Sequence, residues 1–158
     1  KSATGIRYGY QIGIDDASAS PFRRPYEWSL GRTLDGELLR RAAAQLMGEH
    51  DFPAFAVRRP EDRAARPYRC AIRQAEWRPR PGGEGFTFHV AADRFLHHMV
   101  RFLVGTMVDI GLGRRPLEDM TTLLARSDNQ ATSPPAPPQG LYFVAAEYPA
   151  AWYAEDAG

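Results

Sequence analysis

Cysteine is nearly absent: Cys70 is the single one in 158 residues. A lone thiol excludes an internal disulfide framework and suits a reducing compartment, so a cytoplasmic location is expected. Long apolar runs are missing as well. No stretch reaches the roughly 18 consecutive apolar residues of a membrane span, and no secretory signal opens the chain. Repeats of solenoid period are lacking too, which excludes a stacked-repeat architecture. Lysine is as rare as cysteine, because Lys1 is the one lysine among 20 basic residues. With 44% hydrophobic and 25% charged residues, the composition is that of an ordinary globular protein. A single domain of this length buries roughly 70% of its unfolded surface. The chain opens on Lys1 rather than Met, directly at a strand-like run, so a piece of a longer protein is expected.

What is abundant is arginine. The formal net charge is only +1, yet eight arginines lie between Arg58 and Arg80, at 58, 59, 63, 66, 69, 73, 78 and 80. Against Glu61, Asp62 and Glu76, eight minus three leaves a local +5. Two readings fit this stretch. It is a solvated surface of an arginine-rich protein, or it tracks phosphates, whose oxygens the guanidinium fork matches bidentately.

Hydrophobic periodicity orders the chain. Residues 2–14 alternate Ile6, Tyr8, Tyr10, Ile12 and Ile14 with smaller or polar residues, the pattern of a half-buried strand. A short strand-like piece follows around Tyr26 to Leu30. Asp35 is placed to cap a helix whose stripe is Leu38, Leu39, Ala42, Ala43, Leu46 and Met47, closed by Gly48. GEHDFPAF and the arginine stretch lead into a strand near Tyr68 to Trp77. PRPGGEG makes a hairpin loop from which FTFHVAA returns as a strand. A buried helix from about Arg94 to Gly111 comes next, then a shorter one after Pro116. SDNQATSPPAPPQG is a proline-rich loop, and LYFVAAEY is the last strand. The sum is α+β: a mostly antiparallel sheet with helices on one face.

FLHHMVRFLVG, residues 95–105, needs explaining. Leu96, Met99, Val100, Leu103, Val104 and Met107 form a broad apolar face, and Phe95, Phe102, Val108 and Ile110 fill much of the remainder. Such a helix is buried, which takes Arg101 partly inside, with His97 one turn before it and Gly105 one turn after. An unpaired guanidinium there costs several kcal/mol, so Arg101 should have an anionic partner, Asp109 or Asp93 being the nearby internal choices. The pair His97-His98, with Cys70 or His50, invites a metal reading. Adjacent helical histidines point about 100° apart, however, unlike the i, i+4 pairs that share a metal. No metal site is expected.

SATGIRYGYQI, GEHDFPAF, FLHHMVRFLVG and GLYFVAAEYP, in this order, resemble the C-terminal domain of the tRNA pseudouridine synthase A family. The resemblance covers about residues 2 to 149. It implies a pseudouridine-synthase-like domain over 1–149, one of two similar sheet-based domains, with 150–158 as an acidic tail. It also implies an isomerase that converts uridines in the tRNA anticodon stem-loop to pseudouridine without cofactor or metal, as a homodimer. A base inside a stack hides both its glycosidic bond and C5, so the uridine must flip out. Tyr8 then matches the tyrosine that stacks on the base and handles a proton, and Leu141 the residue packing from the other side. Arg101 matches the arginine that pairs with the catalytic aspartate, an opposite charge that keeps a carboxylate ionised. His98, Arg58, Arg59, Arg69 and Arg73 are expected RNA contacts.

That aspartate has no counterpart here. The family carries it in a Gly-Arg-Thr-Asp-x-Gly-Val-His segment of the N-terminal domain. The nearest match, Gly31-Arg32-Thr33-Leu34-Asp35-Gly36, has an inserted Leu34, lacks the Val-His and leads into a helix, so Asp35 reads as its cap. Gly9 and Asn129 also stand where the family commonly has arginine. By resemblance the chain supplies one wall of an active site, contributes no catalytic nucleophile of its own and is inactive alone. The alternative is a stand-alone, non-catalytic RNA-binding module of the same fold.

Overall fold

The computed structural model describes residues 4–57 and 68–148. Among these, the elements in chain order are β1 (Gly5–Gly13), β2 (Trp28–Ser29), α1 (Gly36–Ala44), β3 (Gly48–Asp51), β4 (Arg69–Pro79), β5 (Gly85–Ala92), α2 (Met99–Gly111), α3 (Asp119–Leu124) and β6 (Leu141–Glu147). They build the expected α+β architecture. The sheet runs β2-β1-β5-β4-β3, and β6 also pairs with β1. On that edge β6 pairs residues 5–10, whereas β2 takes Ile12 and Gly13 in parallel. The other pairings are antiparallel.

Alternation sets the core. Tyr10 and Ile12 of β1 and Phe88 and Val90 of β5 are almost wholly buried. They share one cluster with Leu39, Ala42 and Ala43 of α1 and Leu103, Val104 and Met107 of α2. In β4 a register shift opposite β5 leaves Arg73 as an extra residue. It changes the parity of the strand: Cys70 and Ile72 face the core before it, Ala75 and Trp77 after it. Trp77 stacks on Phe88 at 4.9 Å and its indole N–H reaches Met107 Sδ at 3.4 Å.

Asp35 caps α1 as anticipated, its Oδ1 accepting from the N–H groups of Glu37 and Leu38 at 3.0 and 3.1 Å. The helix is shorter than its stripe suggested. It ends at Ala44, Gly48 opens β3 rather than closing the helix, and Met47 is 45% exposed. GEHD is thus a strand in its own right. The larger correction concerns α2, which begins at Met99 and not near Arg94. Residues 94–98 form an irregular approach to it.

At the β1–β2 end an ion cluster braces the loop between these strands. Arg23 contacts Asp15 at 2.7 Å and Glu27 at 2.9 Å. Arg80, from the β4–β5 connection, reaches Glu27 at 3.1 Å and Glu84 at 3.3 Å. Glu27 is only 4% exposed, so its charge is tolerated because two guanidinium groups satisfy it.

Candidate active site

Tyr8 sits where β1 emerges from beneath the helices. Tyr10 and Ile12 on the same face are fully buried, while Tyr8 is half-buried. Its ring meets Phe95 edge-on at 5.2 Å and Phe143, its cross-strand partner on β6, at 6.0 Å.

The approach to α2 supplies the opposite wall. Asp93 Oδ1 accepts from the N–H groups of Ala71 and Arg94 at 2.8 and 2.7 Å, and the His97 carbonyl accepts from Val57 at 3.4 Å. His98 then turns the chain with a φ of 61°, a left-handed conformation that His tolerates better than most non-glycine residues. The His97 and His98 rings stack at 3.8 Å and 26°. Because both precede the helix, their side chains do not diverge by a helical step. Apolar periodicity had carried the helix through them. Among the described residues, no group of three or more His, Cys, Asp or Glu is placed to hold a metal ion.

Arg101 projects from the first turn of α2, half-buried. Its Nε donates to the Ala136 carbonyl at 2.7 Å, and its own carbonyl accepts from the Ala136 N–H at 2.9 Å. Among the described residues no carboxylate lies within 4 Å of its guanidinium. The internal choices are engaged elsewhere: Asp93 holds two backbone amides and Asp109 pairs with Arg114 at 3.5 Å.

Leu141 is delivered by the proline-rich loop, which lies along α2. Gly105 permits that approach, since a Cβ there would stand 2.2 Å from the Pro134 carbonyl oxygen. Arg115 secures the loop through the Ala131 carbonyl at 2.7 Å and Ser133 Oγ at 3.1 Å. Tyr10 donates its hydroxyl proton to the Pro137 carbonyl. Burial pushes the Tyr10 phenol well above its ordinary range, against the opposing charge of Arg101, so it remains a donor. Leu141 then starts β6 opposite Tyr10.

These pieces enclose a cleft of about 280 Å³ whose walls include Tyr8, Phe95, His98, Arg101 and Leu141. Of the residues expected from the sequence, Tyr8, His98, Arg101 and Leu141 therefore share one cavity. Arg69 and Arg73 lie on β4, outside its walls. Arg69 is 3.7 Å from both Glu49 and Asp51, and Arg73 donates to the Thr4 carbonyl at 3.0 Å. Arg58 and Arg59 fall outside the described residues. Two aromatics were not anticipated, Phe95 in the wall and Phe143 beside Tyr8. Their periodicity resembles that of core positions, yet Phe143 is 60% exposed. The cleft offers aromatic and aliphatic surfaces to a flat ring and a guanidinium to an anion. Among the described residues lining it there is no carboxylate and no thiol.

A family model described as tRNA pseudouridine synthase matches residues 42–149. The tRNA pseudouridine synthase A of Xanthomonas euvesicatoria pv. vesicatoria (strain 85-10) is 37% identical over 152 residues, which is 96% of this chain and 57% of the relative. That of Myxococcus xanthus is 40% identical over 139 residues, 87% of this chain and 50% of the relative. The chain thus spans just over half the length of such relatives and corresponds to their C-terminal portion.

Proposed function

The chain belongs to the tRNA pseudouridine synthase family, and from that premise we propose that residues 1–149 form the C-terminal domain of an enzyme that isomerises uridine in the anticodon arm of tRNA. A flipped-out uracil enters the cleft between Tyr8 and Leu141. Breaking the bond from C1′ to N1 and forming one from C1′ to C5 leaves the C5 proton to be removed, and the Tyr8 hydroxyl is the group at hand to handle it. The carboxylate that opens the reaction comes from outside residues 1–158, and Arg101 holds it ionised. No cofactor or metal takes part, the enzyme is a cytoplasmic homodimer, and residues 150–158 are a tail.

The observation that carries this reading is the unanswered charge of Arg101. A half-buried guanidinium with no carboxylate within 4 Å among the described residues opens into the same cleft as Tyr8 and Leu141. The experiment is release of tritium from tRNA labelled at uridine C5. The full-length protein should release it, Tyr8→Phe and Leu141→Ala should each cut kcat, and residues 1–158 alone should release none. Turnover by the isolated chain would overturn the placement of the carboxylate. An inactive full-length protein that still bound tRNA would leave the RNA-binding module instead.

A further inference from the structure

Phe22 and Tyr26 stand 88% and 72% exposed, on a segment that is braced and not loose. Between them Arg23 turns inward, gripping Asp15 with two bonds of 2.7 and 2.8 Å and Glu27 at 2.9 Å. Glu27 is forked in turn by Arg80 at 3.1 and 3.2 Å. Arg24 has no part in this grip. It is exposed, and among the described residues it makes no ion pair. The segment Phe22–Tyr26, which ends in the one-turn helix Arg24–Tyr26, therefore displays a ring, a guanidinium and a second ring. It packs against Pro138–Gly140, the residues immediately before Leu141 in the cleft wall.

Single exposed aromatics are common on protein surfaces, but two on one braced turn beside a cleft form a patch that meets something. We propose that Phe22, Arg24 and Tyr26 are a second RNA-contact surface, continuous with the cleft, for an unpaired stretch of tRNA beside the flipped nucleotide. The rings stack on bases, which requires no particular sequence, and Arg24 meets a phosphate. Position favours RNA over a protein partner. The turn packs against Pro138–Gly140, which runs straight into Leu141 of the cleft wall, so a strand whose uridine occupies the cleft passes beside these rings, and the exposed Arg24 lies between them. The inference rests on the uridine-isomerase reading above.

The test is tRNA binding and steady-state kinetics of the full-length protein with Phe22→Ala, Tyr26→Ala and Arg24→Gln. Each ring removed should weaken tRNA binding about tenfold and raise KM to match, with kcat at saturating tRNA unchanged. Phe22→Tyr and Tyr26→Phe should retain wild-type affinity. Arg24→Gln should lower the slope of log affinity against log salt by roughly 0.7–0.9, whereas the ring variants should leave it alone. Unchanged affinity in all three variants would overturn the proposal. So would unchanged affinity accompanied by a dimer-to-monomer shift in sedimentation, which would make the patch a contact between copies. Either result in a wild-type protein that forms pseudouridine would leave the uridine-isomerase reading standing. A wild-type protein unable to form pseudouridine would remove that reading itself.

Discussion

Replacing Gly105 by alanine sets two opposing effects against each other on α2. Helix propensity favours the change by about 0.8–1.0 kcal/mol, since alanine loses less backbone entropy in a helix interior. Packing opposes it, because the new Cβ would stand 2.2 Å from the Pro134 carbonyl oxygen and 3.3 Å from the Ala136 nitrogen. Both are backbone atoms and cannot rotate away, so the loop must lift by about 1 Å. Lifting it strains the two bonds that tie Ala136 to Arg101, worth roughly 1 kcal/mol for the neutral one and 1.5–3 for the charged one. Overpacking of this kind costs about 1–3 kcal/mol. Set against the propensity gain, a net loss near 1 kcal/mol is expected, a fall in Tm of about 2–4 °C for a chain of this size. Gly111→Ala is the matched control. Its Cβ would meet the Leu39 and Leu34 methyl ends at 3.0 and 3.2 Å, which are able to swing aside, so that variant should melt near wild type. Thermal melts of both variants with urea titrations decide the matter. If Gly105→Ala melted higher than wild type, propensity would have won and the loop could not be resting on the helix. In the full-length protein Gly105→Ala should also lower kcat, because the displaced loop carries Leu141 and the carbonyl that steadies Arg101.

Three further expectations concern charge. Arg101→Met in residues 1–158 should cost no more than about 1.5–3 kcal/mol, the worth of its bond to Ala136; a loss of 3–5 kcal/mol in denaturant titrations would point to a buried carboxylate partner. The same change in the full-length protein should cut kcat and leave tRNA affinity nearly intact, read from kcat and Kd separately. Burial works to raise the Glu27 carboxyl, but hydrogen bonds from Arg80 and Arg23 outweigh it and hold the group below the usual carboxylate range. Its contribution to stability is therefore present above the unfolded value near 4.3 and lost as pH falls through the lower folded value. Glu27→Gln should destabilise at pH 7 by roughly 3–5 kcal/mol and flatten the acid limb of a pH–stability curve; an unaltered acid limb would assign that limb to other carboxylates. Replacing Arg69 and Arg73 together with glutamine should flatten the salt dependence of binding to an anticodon stem-loop, by about 0.7–0.9 log units per lost phosphate contact. An unchanged slope would make both arginines plain surface, with Arg69 serving Glu49 and Asp51.

Features that depend on near neighbours were legible in the amino-acid order. Asp35 as a helix cap, the inward row of Tyr10 and Ile12, and the hairpin at Gly82-Gly83 need only local chemistry and a period of two. The cost of burying Arg101 was legible too, because an apolar helix around a guanidinium demands an answer wherever it folds. What answers it was not legible. The start of α2 was misplaced because apolar periodicity runs on through Phe95 and Leu96, whereas Asp93 and Val57 capture the backbone there and leave His98 left-handed. Gly105 gives no local sign of its purpose, which is set by a carbonyl 29 residues further on. The parity of β4 turns on an extra residue that only the partner strand reveals. Most of all, the cleft is a product of tertiary structure. Tyr8, Arg101 and Leu141 come from β1, α2 and β6, and no periodicity relates them. They meet because β6 pairs with β1 while the loop before it is laid against the helix.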